Sequence, residues 1–122
     1  MTAVTTTAEA VVAAVVARDS SALAATLTDD VAFEALLPRG LLEGRGPQDV
    51  TAAFERWFGD LPAFALVAAT AGEIGPRLHL RWRFRATFAD GTPHLVEQQL
   101  YADTADGRIS RIRLLCSGFC PE

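Results

Sequence analysis

From Arg77 to Phe88 the chain alternates polar and apolar residues at every step, a period of two that only an extended strand converts into two distinct faces. Leu78, Leu80, Trp82, Phe84, Ala86 and Phe88 share one face, and Arg77, His79, Arg81, Arg83, Arg85 and Thr87 share the other. A helix would scatter both sets around its circumference. A slip of one residue would carry the arginines into the core, so the register of this strand is strongly specified. It is taken as the central strand of the fold, with an apolar interior on one side and water or a partner chain on the other.

A chain of 122 residues can close one core without metals or disulfides, and residues 1–122 are read as a single domain. Half of the residues are apolar and 21% are charged, a globular rather than a disordered composition. The longest apolar run, Ala10 to Ala17, is far below the roughly 20 residues of a membrane span and has no cationic lead of the secretory kind. A cytoplasmic protein without membrane contact is expected. The formal charge of -4 gives no general reason to bind nucleic acid. All 11 cations are arginine, which reads as compositional bias of the source genome rather than a demand for guanidinium geometry. Cys116 and Cys120 are too few and too close to frame a disulfide-stapled fold.

In chain order, Thr6-Thr7-Ala8-Glu9 has capping-box spacing and opens a helix that runs to Arg18. Asp19 caps a short second helix from Ser20 to about Leu27, and Val31 to Leu37 is a strand ended by Pro38 and Gly40. After a loop, Pro47 starts a third helix that Gly59 and Pro62 stop. Ala63 to Thr70 is a strand and Gly72 to Pro76 a turn. Asp90-Gly91 and Asp106-Gly107 separate the strand at 77–88 from strands at 93–103 and 108–116. Helices first and a meander afterwards make an α+β fold with an antiparallel sheet.

Four short stretches carry a family likeness: Ala17-Arg18-Asp19 ending the first helix, Leu27 to Phe33 entering the first strand, Glu43-Gly44-Arg45 before the third helix, and Asp106 to Ile109 opening the last strand. In their order and spacing the chain resembles the nuclear transport factor 2-like superfamily, in its SnoaL-like and ketosteroid-isomerase-like branch. The resemblance implies a cystatin-like cone, with three N-terminal helices packed on a curved antiparallel sheet of mixed order that encloses a pocket, and often a dimer through the sheet's outer face. Members include isomerases, polyketide cyclases, epoxide hydrolases and plain binding modules, so fold alone does not settle function.

Carried over residue by residue, the ketosteroid isomerase pattern fails. Its oxyanion tyrosine falls at or beside Val11, its catalytic aspartate at Ala35 beside Glu34, and its protonated aspartate at Gln98 or Gln99. An amide can still donate to an enolate oxygen, but Ala35 leaves no base to form one. The acids an epoxide hydrolase of the limonene type needs are represented only by Glu97 and Asp103, which alternation turns outward. The aspartate of several cyclases would fall near Cys116 or Ser117.

The candidates for chemistry are Gln98, His94, Glu34 and Cys116. Gln98 sits in an apolar row with Val96, Leu100 and Ala102, either orienting a ligand or bonded to the protein's own groups. His94 shares that face near the turn, whereas His79 sits in the arginine row. Glu34 alternates outward, toward an arginine. Cys116 falls beside Leu114 as a small hydrophobe with a free thiol. A pocket of Phe33, Ala35, Phe54, Trp57, Phe58, Trp82, Phe84, Gln98, Leu114 and Cys116 is expected to hold a small hydrophobic molecule. No phosphate loop, metal-spaced cluster or Ser-His-Asp set can be assembled, so no cofactor or metal is expected. The arginine row faces Glu97, Gln99, Tyr101 and Asp103 and reads as a charge-paired face suited to a homodimer rather than to nucleic acid. Two functions remain open: a cofactor-independent isomerase, cyclase or dehydratase acting on a carbonyl compound, and a non-catalytic binding or dimerisation module.

Overall fold

A computed structural model describes residues 3–122, with side chains from Thr7 onward. The chain runs α1 (Ala3–Ala17), α2 (Ser20–Ala24), β1 (Leu27–Leu37), β2 (Gly40–Arg45), α3 (Pro47–Phe58), β3 (Ala63–Ile74), β4 (Arg77–Thr87), β5 (Pro93–Ala105), β6 (Arg108–Cys116) and β7 (Cys120–Pro121). The fold is α+β: the helices pack on a curved, unclosed sheet of order β2-β1-β6-β5-β4-β3, with β7 on β5. Every pair is antiparallel except β1 with β6, which the long connection through α3 and the meander brings back in parallel. The alternating strand β4 therefore lies second from an edge rather than at the centre, which β6 and β5 occupy.

The interior follows the period-two reading. Leu78, Leu80, Trp82, Phe84 and Ala86 are all buried, against Val96, Gln98, Leu100 and Ala102 from the facing side of β5. Phe54 and Phe58 of α3 meet this face, with ring centroids of Phe54 and Trp82 at 6.2 Å and of Phe58 and Phe84 at 5.7 Å.

Helix ends differ from the sequence reading for local reasons. Because α1 begins at Ala3, Thr6 lies inside the helix and cannot cap it. Arg18 turns into the left-handed region (φ 53°), and Asp19 then caps α2, its carboxylate accepting from the Ala22 amide at 3.0 Å. α2 stops at Ala24, short of Leu27, because Thr26 O accepts from the Ile109 amide at 2.8 Å and draws the chain into β1. Arg18 also donates to Phe58 O at 3.0 Å and Leu61 O at 2.8 Å, so its guanidinium closes the C-terminal end of α3.

The stretch read as a loop after Gly40 is β2, paired with β1 from Leu37↔Gly40 to Ala32↔Arg45. Its side chains are at most half-buried, so no alternation announces it. β3 continues through Gly72 to Ile74 and is exposed along most of its length, and β7 is only a two-residue pairing to β5.

On the outer face the charges pair across the ladders: Arg77 with Asp103 at 3.1 Å, Arg83 with Glu97 at 2.8 Å, and Glu34 within 3.9 Å of both Arg111 and Arg113. Arg85 grips Glu122 through three hydrogen bonds and so ties the tail beyond β6 to the sheet. Those bonds hold the Glu122 carboxyl below its ordinary value, with Coulombic attraction to Arg85 adding to them. A depressed carboxylate contributes above its ordinary titration range and loses that contribution as pH falls through the folded value. Amide-exchange protection at Glu122 and Cys120, corrected for intrinsic rates, should therefore exceed that of Arg85→Ala near neutral pH. The difference should vanish in acid; a difference that persists unchanged into acid would show that the tail is held by something else.

Candidate functional site

Five segments meet at the open end of the sheet: the turn Pro38-Arg39 between β1 and β2, the last turn of α3, Phe88 after β4, the start of β5, and the tail from Cys116 to Phe119. Between them lies a cavity of about 690 Å³. Trp57, Phe58, Phe88, Phe119, Leu37, Pro38 and Val96 supply apolar wall, and Gln98, Cys116, Ser117 and Arg39 supply the polar side chains. The tail is seated by Gly118, whose positive φ of 74° suits glycine and where a Cβ would stand 2.8 Å from the Pro38 ring.

Gln98 is buried and bordered by Trp82, which lies directly opposite on β4. The Trp82 indole N–H donates to Gln98 Oε1 at 2.9 Å. An indole nitrogen can only donate, so this contact fixes which end of the amide is oxygen. The NH2 end is thereby turned toward Cys116 Sγ, at 3.4 Å, and the cavity. The amide is thus held at both ends, its oxygen by the Trp82 indole and its NH2 against the Cys116 sulfur, at the wall of the cavity.

Cys116 is half-buried, and its sulfur also accepts from the Gly118 amide at 3.4 Å. Cys120 is exposed, with its sulfur near Gly118 O at 3.7 Å. Cys116 pairs with Gln98 and Cys120 with Leu95 on the same side of β5. Three residues of strand separate these positions by roughly 10 Å, beyond the ~7 Å that a disulfide spans, and both thiols are free. Ser117 Oγ accepts from the Glu97 amide at 2.9 Å and donates to Gly118 O at 2.7 Å, which commits it to the backbone.

Of the residues expected to form a pocket, Trp57, Phe58, Gln98 and Cys116 line this cavity. Phe33, Ala35, Phe54, Trp82, Phe84 and Leu114 do not: they are buried under the helices and fill the closed end of the cone with their own side chains. His94 is half-buried, with its ring stacked on Phe88 at 4.0 Å and Nδ1 3.4 Å from Thr92 O, behind the cavity wall. Glu34 faces outward between Arg111 and Arg113. His79 pairs with Gln99 at 3.1 Å and stacks on Tyr101, also outside. Sequence reasoning missed Arg39 and Phe119 as cavity residues, and reached Ser117 only as a place where the aspartate of several cyclases would fall. Their only signal was the Pro38-Arg39-Gly40 turn and Gly118, which mark turns without saying what the turns enclose.

The family profile described as SnoaL-like domain matches residues 8–112. No curated protein matches the sequence. Among solved structures, a candidate polyketide cyclase from Xanthomonas campestris pv. campestris superposes with a TM-score of 0.73 at 22% identity, over 93% of this chain and 89% of its own. A second candidate polyketide cyclase, from Pseudomonas putida KT2440, gives 0.74 at 20% identity over 93% and 90%. A candidate ketosteroid isomerase from Kribbella flavida DSM 17836 gives 0.65 at 19% over 93% and 77%. At these identities the likeness is one of fold.

The Trp82–Gln98 bond makes a specific prediction. Gln98→Leu strands the buried indole N–H and should cost about 1–3 kcal/mol, rather than leaving stability untouched as a purely ligand-facing glutamine would. Much of that cost should disappear when the same change is made in a Trp82→Phe background, giving a coupling of about 1 kcal/mol or more in chemical denaturation. Additive effects would mean that the bond contributes nothing.

Proposed function

The chain belongs to the SnoaL-like domain family, and on that premise we propose that the cavity at the open end of its sheet binds a small apolar carbonyl compound of polyketide- or steroid-like character. The observation that carries this reading is the Gln98 amide, oriented by Trp82 with its NH2 end toward Cys116 at the wall of a cavity built largely from aromatic and aliphatic side chains. A volume of about 690 Å³ lies within the range of small-molecule sites, and a few placed polar groups on an apolar wall are what such sites use to orient a ligand. Gln98 would donate to the carbonyl oxygen, and the rings of Trp57, Phe58, Phe88 and Phe119 would cover the body of the molecule.

Binding without turnover is the simpler form of this function, because the side chains lining the cavity include neither a carboxylate nor an imidazole. One contact favours the catalytic form. Cys116 Sγ lies 3.4 Å from the Gln98 amide nitrogen, so a thiolate there would stand beside the carbon next to a bound carbonyl. In an isomerisation the sulfur would take the α-proton, the electron pair would move onto the carbonyl oxygen held by the Gln98 N–H, and the proton would return at another carbon.

Calorimetric titration with 2-decanone tests the binding reading, alongside native mass spectrometry of the purified protein for a retained small molecule. Binding at one site per chain is expected. A protein that carries no guest and takes up no ketone overturns the reading. The catalytic form predicts that the protein accelerates exchange of the ketone's α-protons in D2O by NMR and that Cys116→Ala abolishes the acceleration; exchange at the buffer rate leaves a binding module.

The outer sheet face is proposed to pack against a two-fold mate. Arg81, Arg83, Arg85, Glu97, Gln99, Tyr101, Arg111 and Arg113 give it charges of both signs, which a self-complementary interface can match, and exposed Leu36, Leu41 and Leu115 border a shallow groove of about 320 Å³ beside Tyr101. Light scattering at micromolar concentration should give the mass of a dimer, and Tyr101→Glu should reduce it to that of one chain. A wild-type protein with the mass of one chain refutes the assignment.

A further inference from the structure

The cavity's charge asymmetry goes further than the carbonyl reading on which it rests. Arg39 is the one charged side chain among its lining residues. Most other arginines are committed elsewhere: Arg18 to carbonyls at the end of α3, Arg45 to Asp30 O, and Arg77, Arg83, Arg85, Arg111 and Arg113 to carboxylates. Among the described residues, Arg39 has neither a carboxylate within ion-pair distance nor a hydrogen-bond acceptor. Its backbone is firmly placed. Pro38 fixes the turn on one side, the β1–β2 ladder closes at Leu37↔Gly40 on the other, and Gly118 packs against the proline ring.

With the Cys116 sulfur accepting from Gln98 and Gly118, the two strongest polar anchors are both donors, neutral at Gln98 and cationic at Arg39. Gln98 Oε1 accepts from the indole, and Ser117 Oγ accepts from the Glu97 amide and gives its one proton to Gly118 O. A cationic guest would meet Arg39 with no counter-charge in the lining. An anion placed deep among Trp57, Phe58 and Val96 would lose water without gaining a charged partner. We infer that the ligand is an apolar keto acid: a neutral carbonyl lies at Gln98 and a carboxylate lies at the mouth, where the exposed Arg39 guanidinium pairs with it while water still reaches it.

The test compares 2-decanone with 9-oxodecanoate, which keeps the ketone and the chain and replaces only the far methyl by a carboxylate. By calorimetry at low salt, wild-type protein should prefer the keto acid by about fivefold, the upper end for a solvent-exposed ion pair. Added salt should erode that preference. Arg39→Ala should abolish it, whereas Arg108→Ala, which removes the same charge from the opposite end of β6 from Cys116, should keep it. Equal affinity of wild-type protein for both probes, or a preference that survives Arg39→Ala, overturns the keto-acid assignment and leaves the carbonyl reading standing. Failure of both probes to bind overturns the carbonyl reading and this inference with it.

Discussion

The register between β4 and β5 decides most of what this molecule can do. It sets Trp82 opposite Gln98, so that a buried indole and a buried amide meet within hydrogen-bond distance in a core that offers them little else. Leaving either group without a partner would cost on the order of 1–3 kcal/mol, a large fraction of a small domain's stability. The same register puts Arg83 opposite Glu97 on the outer face, where the ion pair is solvated and contributes little. Burial and the Trp82–Gln98 bond fix the strand pair, and the outer charges only follow it.

Three of the four stretches that carry the family likeness are joints, and each of these has a physical task; the fourth, Leu27 to Phe33, lies within β1. Arg18 reverses the chain after α1 and caps α3, while Asp19 starts α2. Gly44 leaves room for Asp49, since a Cβ there would stand 2.8 Å from the Asp49 Cβ; Asp49 in turn accepts from the Arg45 amide at 2.8 Å at the start of α3. Asp106 and Gly107, both at positive φ, reverse the chain into β6, and Ile109 then ties β6 to Thr26. Together these joints aim α3 across the sheet, so that Trp57 and Phe58 border the cavity while Phe54 packs in the core. None of them lines the cavity, so the likeness reports the frame and is silent on the chemistry.

This division explains what was legible beforehand. Period-two alternation separates inward from outward, and it correctly placed Leu78 to Ala86 inside and Glu34, Glu97 and Asp103 outside. It has no means of separating inward and packed from inward and lining a void. Phe33, Phe54, Trp82 and Phe84 were accordingly read as pocket, although they fill the closed end of the cone. Much of the cavity belongs instead to element ends and turns, at Leu37 to Arg39 and Ser117 to Phe119, segments far apart in sequence whose meeting is set by tertiary packing. β2 escaped notice for a related reason. Its side chains are too exposed to be patterned, and only its pairing with β1 defines it.

Gln98 shows how a core demand can prepare a functional group. A free amide in a cavity would rotate, presenting oxygen or nitrogen to a guest according to need, and would lose that freedom on binding. Here the rotation is already excluded, because turning the NH2 toward Trp82 would oppose two donors in a buried site. The orientation cost is met when the protein folds, so the proposed ligand would not have to meet it on binding. Preorganisation of this kind favours an oxygen that gains negative charge over one that stays neutral, so the same amide would suit either form of the proposed function. The β5–β6 register sets Cys116 opposite Gln98, and so the fold places a sulfur beside that amide.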